Sequence, residues 1–265
     1  MPYTGFEGFA WINQKSKAND YVRKHNPPVI YGANNSPERL SQIKNLTMFF
    51  SDLDADLLPQ WMFITPNMTS DGHDTSVTTA GTWCSNFLTP LLSNKDFMQR
   101  TLVLLTFDEN HTYTDQNRVL AILLGDAVPQ ELVGTTDDAF YDHYSELATV
   151  EANWGLDTLG RWDAVANVFS FVGQATGDQI ATWDGATGAS PSVFLNESFP
   201  GVFSTETDTA GYPAPNISLV HNGRKVADSI VQAWQNSEAQ TYYQDSIKIP
   251  DGLRPPVYGD NVAAP

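Results

Sequence analysis

The chain has 265 residues, 41 % hydrophobic and 12 % aromatic, which suits one large folded α/β domain rather than a disordered segment. Against 31 Asp and Glu there are only 14 Lys and Arg, a formal charge of −17, which argues against nucleic acid or an anionic membrane as partner. The single Cys84 excludes an internal disulfide and a cysteine-based zinc site, and no apolar run reaches the length of a membrane span.

Taken in order, residues 1–35 show no sustained period, and Met1–Ala10 lacks the basic start and apolar core of a signal peptide. A chain opening on such a Gly- and aromatic-rich loop reads as the interior of a domain. Ser36-Pro37-Glu38 predicts a capped helix start. Leu46–Phe50 reads as a short strand, with Ser51 capping a helical turn through Asp52, Asp54 and Asp56. Gln60–Thr65 reads as a buried strand stopped by Pro66, followed by the polar loop Thr69–Asp74. A helix is expected from Ser76 to about Thr89, where Pro90 should end or kink it.

Residues 101–109, Thr-Leu-Val-Leu-Leu-Thr-Phe-Asp-Glu, predict a strand buried on both faces that ends in two adjacent carboxylates. Arg118–Leu124 predicts a second strand, close enough in sequence to pair antiparallel with the first. Asp142-His143-Tyr144-Ser145 opens a helix with Leu147, Val150 and Trp154 as its expected inward face and Gly155 as its stop. Beyond Gly177 the chain turns rich in Gly, Pro, Ser and Thr. Asn222-Gly223 marks a hairpin, residues 227–240 a helix, and the stretch from Pro250 an irregular tail.

Three groups of polar residues lie at strand ends or before a helix: Asp71, His73 and Asp74; Asp108 and Glu109; and His143. Ligands bind at the carboxyl ends of strands in open α/β sheets. Two acids there repel unless a cation or proton lies between them, and carboxylate oxygens with imidazole suit a divalent metal. A helix start beside His143 lowers its affinity for a proton and attracts anions. Together these parts suit phosphate-ester hydrolysis. The same residues also fit plain structure: Asp108 a loop cap or half an ion pair, His73 a turn around Gly72, and His143 an ordinary first-turn residue. His25, His111 and His221 take no catalytic role. Thr4, Ser16, Ser70 and Ser145 lack a nucleophile setting, so no nucleophile is assigned.

Thr65–Asp74, Leu104–Glu109 and His143-Tyr-Ser…Asn153-Trp-Gly-Leu156 occur in the order found in the phosphoesterase family. That family joins bacterial phospholipases C with acid phosphatases, and the chain resembles the fungal secreted acid phosphatases over roughly residues 1–175. The resemblance implies a three-layer α/β/α sandwich with a mixed central sheet, like the alkaline-phosphatase superfamily, and hydrolysis of a small phosphate monoester. It implies Asp108 and Glu109 as ligands of a divalent metal, His73 and His143 as catalytic residues that bind metal or phosphate, and Asp71 and Asp74 as support for their loop. It also implies secretion, which Asn-x-Ser/Thr sequons at Asn45, Asn67, Asn110, Asn196 and Asn216 suit.

Family members begin with a strand ending in a metal-binding Glu-Asn pair, then a loop with a hydroxyl nucleophile, and neither precedes Met1-Pro-Tyr-Thr-Gly-Phe. The expectation is therefore a fold lacking its first strands and a chain with little or no activity. Residues 1–177 are expected to be the C-terminal part of the catalytic domain, and 178–265 an irregular extension packed on it. A phospholipase C-like phosphodiesterase and a non-catalytic secreted acidic protein are the alternatives. Metal identity, preferred ester and oligomeric state stay open.

Overall fold

The computed structural model describes residues 10–15, 17–112, 117–181, 214–239 and 241. Thr4, Ser16, Asn196 and the tail from Pro250 lie outside the described residues. The chain divides into two units, Met1–Thr101 with Gly125–Ala127, and Leu102–Leu124 with Val128–Pro265.

In the first unit, β1 (Ala10–Ile12) and β2 (Asn19–Val22) pair antiparallel. Two one-turn helices follow, α1 (Pro27–Ile30) and α2 (Pro37–Leu40). As Ser36-Pro37-Glu38 predicts, the Ser36 hydroxyl accepts the Arg39 N–H. Leu46–Phe50 is not a strand: it opens α3 (Leu46–Asp54). Asn45 caps that helix by accepting the Met48 N–H at 3.1 Å. The helical period then turns Phe49 inward against Phe87 and Phe97, a packing that alternation would not give. Ser51 lies inside the helix and caps nothing.

Gln60–Thr65 also departs from expectation. It is irregular chain without strand pairing, and Trp61 and Phe63 are 56 % and 60 % exposed. An apolar run becomes a strand only where a neighbour takes its backbone hydrogen bonds, and among the described residues none does. α4 (Val77–Leu92) begins where Ser76 caps Thr79 and runs two residues past Pro90. A proline in a last turn costs one backbone bond without breaking the turns before it. α5 (Lys95–Met98) closes the unit.

In the second unit, β3 (Val103–Thr106) pairs antiparallel with β4 (Ala121–Leu124), Val103 opposite Leu124 and Thr106 opposite Ala121. The pairing matches the expectation from the short interval, but both strands are shorter than the apolar runs. β3 is half-buried rather than covered on two faces. The described strands form three separate two-stranded sheets, so the class is mixed helix and strand.

The core of this unit is built on α6 (His143–Trp154) and α7 (Ser170–Thr176). Leu147 and Trp154, expected inside, are exposed. The inward face is Ser145, Ala148, Thr149, Glu151 and Ala152. Small residues let the 166–172 segment come close: Ala148 and Ala152 meet Ala166 and Val168, with Val172 beside them. The Thr149 hydroxyl accepts the Phe169 N–H at 3.0 Å and donates to the Ser145 carbonyl at 2.7 Å. Gly155 ends α6 in the left-handed region, φ 61°, as its position predicts.

A second cluster joins Ala164 and Val165 to Leu219 and Val226, with Ile230 and Val231 against it. These last residues flank or follow the hairpin of β5 (Val220–His221) and β6 (Arg224–Lys225). Asn222 and Gly223 have φ of 47° and 76°, the positive pair that a two-residue hairpin turn needs. The helix after it, Asp228–Trp234, is shorter than the periodic stretch.

Candidate functional site

β3 delivers its chain end, after Phe107, into the exposed pair Asp108 and Glu109. The Asp108 carboxylate folds back on its own turn, Oδ1 accepting the Glu109 N–H at 2.9 Å. Its backbone carbonyl is 2.6 Å from Nε2 of His143, 35 residues away. A carbonyl only accepts, so Nε2 carries the proton and donates it.

The start of α6 holds His143 in place. Asp142 caps the helix, Oδ1 accepting the N–H groups of Tyr144 at 2.9 Å and Ser145 at 3.2 Å. Ser145 Oγ accepts the Asp142 N–H at 3.2 Å in return, a reciprocal capping box. Burial pushes the Asp142 carboxyl up against these bonds, which favour its charged form. Asp142→Ala should cost about 1 kcal/mol of stability, read by urea unfolding, whereas Asp142→Asn should recover most of it.

His143 is 49 % exposed, and its Nδ1 lies 3.9 Å from Oε1 of Glu146. Its pKa is pushed up to about 9, first by the Glu146 carboxylate and then by the Asp108 carbonyl, with Asp142 adding to both. This corrects the expectation that the helix start depresses it. The fractional charge of a helix end, felt mainly near the terminus, is outweighed by a whole carboxylate one turn on. At neutral pH His143 is a cation whose two ring N–H groups are donors. Such a ring binds or protonates an anion.

In the first unit, the loop Thr69–Asp74 is irregular as expected. Gly72 turns it at φ 86°, and Asp71 Oδ1 accepts the His73 N–H at 2.9 Å. Asp71 therefore shapes the loop that presents His73. The His73 ring is exposed and meets the His25 ring edge-on at 6.5 Å between centroids. Asp74 is exposed. The structure thus joins Asp71 to His73 and Asp108 to His143.

Asp108 and Glu109 supply the hard oxygen donors that a divalent cation takes. Among the described residues, no group of three or more His, Cys, Asp or Glu side chains is placed to hold a metal ion. Glu146 escaped the sequence reading, although its i+3 spacing from His143 is the signal of a facing pair on a helix.

A family model, Phosphoesterase, matches residues 3–157, which span all of these positions. The chain belongs to the Phosphoesterase family. Among similar proteins is an acid phosphatase of Aspergillus fumigatus, 45 % identical over 92 % of this chain and 54 % of its own length. The phosphate-repressible acid phosphatase of Penicillium chrysogenum is 49 % identical over 81 % of this chain and 51 % of its own. A phosphatidylinositol-3-phosphatase of Mycobacterium tuberculosis is 29 % identical over 54 % of this chain and 44 % of its own. The chain spans about half the length of the curated relatives it matches. No solved structure matches it. Among the described residues no helix is long and apolar enough to cross a membrane.

Proposed function

We propose that this phosphoesterase chain carries part of the site of a phosphate-monoester hydrolase, with Asp108, Glu109 and His143 at its centre. The observation that carries this reading is the 2.6 Å bond from His143 Nε2 to the Asp108 carbonyl, which ties the His143 ring to the backbone of the Asp108-Glu109 pair. Similarity to proteins named acid phosphatase supports it. Asp108 and Glu109 would hold a divalent metal, which when bound supplies positive charge to phosphoryl oxygens. With its Nε2–H held by the Asp108 carbonyl, His143 would use its Nδ1–H to orient the phosphoryl group and give a proton to the departing alkoxide, a general-acid role. His73, presented by Asp71 with Asp74 in the same loop, keeps the phosphate-binding role that the resemblance implies.

We further propose an α/β/α sandwich like that of the alkaline-phosphatase superfamily, and secretion, as the resemblance to acid phosphatases implies. Residues 1–177 would be catalytic domain and 178–265 an extension. The shared core of Ala164, Val165, Leu219 and Val226 favours that extension's packing on the domain. A phosphodiesterase or lipid-headgroup reading gains from the exposed Trp61 and Phe63; a binding role without catalysis has no observation of its own here.

With no third metal ligand among the described residues, turnover by the chain alone should be slow but metal-stimulated. p-Nitrophenyl phosphate and bis-p-nitrophenyl phosphate, each with and without added Mn²⁺, separate the readings. Metal-stimulated release from the monoester is the expected result. Release from the diester alone would select the phosphodiesterase, and no release from either together with no binding of Mn²⁺ would leave the binding role.

A further inference from the structure

Away from Asp108 and His143, the inward face of α6 carries a carboxyl that hydrolysis does not use. Glu151 is 3 % exposed and its Oε2 has no hydrogen-bond partner. Its carboxyl meets that of Asp163, itself 2 % exposed. Asp163 already accepts two backbone N–H groups, Leu159 on Oδ2 at 2.7 Å and Arg161 on Oδ1 at 3.0 Å. A carboxyl that receives two amide donors is held as an acceptor. Glu151 can therefore bond to it only by bringing a proton of its own.

A cation within reach is Arg224 on β6, whose Nη2 lies 2.6 Å from Oδ1 of Asp178, a side chain 2 % exposed. Buried His221 on β5 faces Asp178, and α7, which also packs on α6, contributes no titratable side chain. Three ionised carboxyls facing Arg224 and His221 would still leave one buried negative charge uncompensated, at a cost of several kcal/mol. One proton on Glu151 relieves that excess.

The same region is the seam on which the hairpin docks. Thr158 N–H donates to the Lys225 carbonyl at 2.8 Å, Ala227 N–H to the Thr158 carbonyl at 2.9 Å, and Asn216 N–H to the Gly160 carbonyl at 2.7 Å. The seam is tight: a Cβ on Gly160 would stand 2.9 Å from a Val226 methyl.

We propose that the Glu151–Asp163 carboxyl pair is an acid-closed latch: with its proton it holds α6, the Leu159–Asp163 loop and the Arg224 hairpin together, and on losing it the hairpin loosens. Burial first, then Asp163, pushes the Glu151 pKa from 4.5 up to about 8, while Arg224 opposes the rise. A carboxyl raised in the folded state stabilises that state fully below its unfolded value. The benefit falls as pH climbs from 4.5 and is gone above about 8. Within that window each pH unit lowers the closed-to-open ratio by up to about tenfold. The latch is shut in acid, where the relatives named acid phosphatase suggest the protein works, and it opens in mild alkali.

Hydrogen exchange of the Thr158 and Ala227 amides in the full chain, corrected for intrinsic rates, tests this at about pH 6 and about pH 9. Wild type should lose protection by about tenfold or more, while Glu151→Gln, a neutral donor to Asp163, should stay flat. Unchanged protection in wild type, or an equal fall in Glu151→Gln, would overturn the latch. Should that variant not fold, ¹³C titration of the wild-type Glu151 carboxyl decides. A midpoint near 8 supports the proposal, and one near the ordinary 4.5 sinks it.

Discussion

Asp108→Asn should weaken divalent-metal binding by at least about 10–100-fold, the loss that follows when even an outer partner of a ligand is removed. The substitution is chosen to leave everything else standing. Asn keeps an oxygen to accept the Glu109 N–H, so the turn at the end of β3 survives. The contact with His143 runs through the backbone carbonyl, which the change does not touch. Only the negative charge goes. Glu109→Gln should act in the same direction, and His111→Ala, two residues on and exposed, should leave binding unchanged. Isothermal titration with Mn²⁺ reads all three. Equal losses at Asp108 and His111 would mean that the measured site lies elsewhere.

Arg224→Met should destabilise the protein by about 3–5 kcal/mol, the usual cost of stranding one member of a buried ion pair. Both partners are well covered, the side chains 12 % and 2 % exposed for Arg224 and Asp178. The pair supports Asp178 below the ordinary carboxylate range despite its burial, with Thr176 donating a further hydrogen bond. Without the guanidinium, Asp178 must either stay charged in a dry site or take up a proton. The double variant Arg224→Met with Asp178→Leu should recover part of the loss, because an apolar pair replaces an orphaned charge. Urea unfolding midpoints of the two single variants and the double one measure the coupling. A double variant as poor as the sum of the singles would show no coupling in the pair.

Local chemistry made part of the fold legible. Ser36, Ser76, Asp142 and Gly155 act within a few residues of themselves, and each caps the helix its neighbours predict. Asn222-Gly223 fixes its hairpin in the same way. The failures share a different cause. Gln60–Thr65 and Leu46–Phe50 are apolar enough for strands, but what an apolar run becomes depends on partners that its own residues do not name. Asn45 drew the second of them into a helix. On α6 the reading favoured large side chains, whereas close packing selected alanines and a threonine.

The site was legible in the same uneven way. The adjacency of Asp108 and Glu109 is a fact of sequence, and so is the helix start at His143. The bond between them spans 35 residues and needed coordinates. The helix dipole alone would lower the pKa of His143, whereas Glu146, one turn on, raises it. Glu151 looks like any acidic helix residue until its burial against Asp163 is seen.

The most direct test of the site is the ³¹P line width of inorganic phosphate with Mn²⁺ and the chain. Wild type should broaden the line well beyond free Mn²⁺, because metal and anion share one place, and Asp108→Asn should abolish that excess. Broadening of equal size in Asp108→Asn would contradict the account, since phosphate and metal would then meet without the carboxylates at the end of β3.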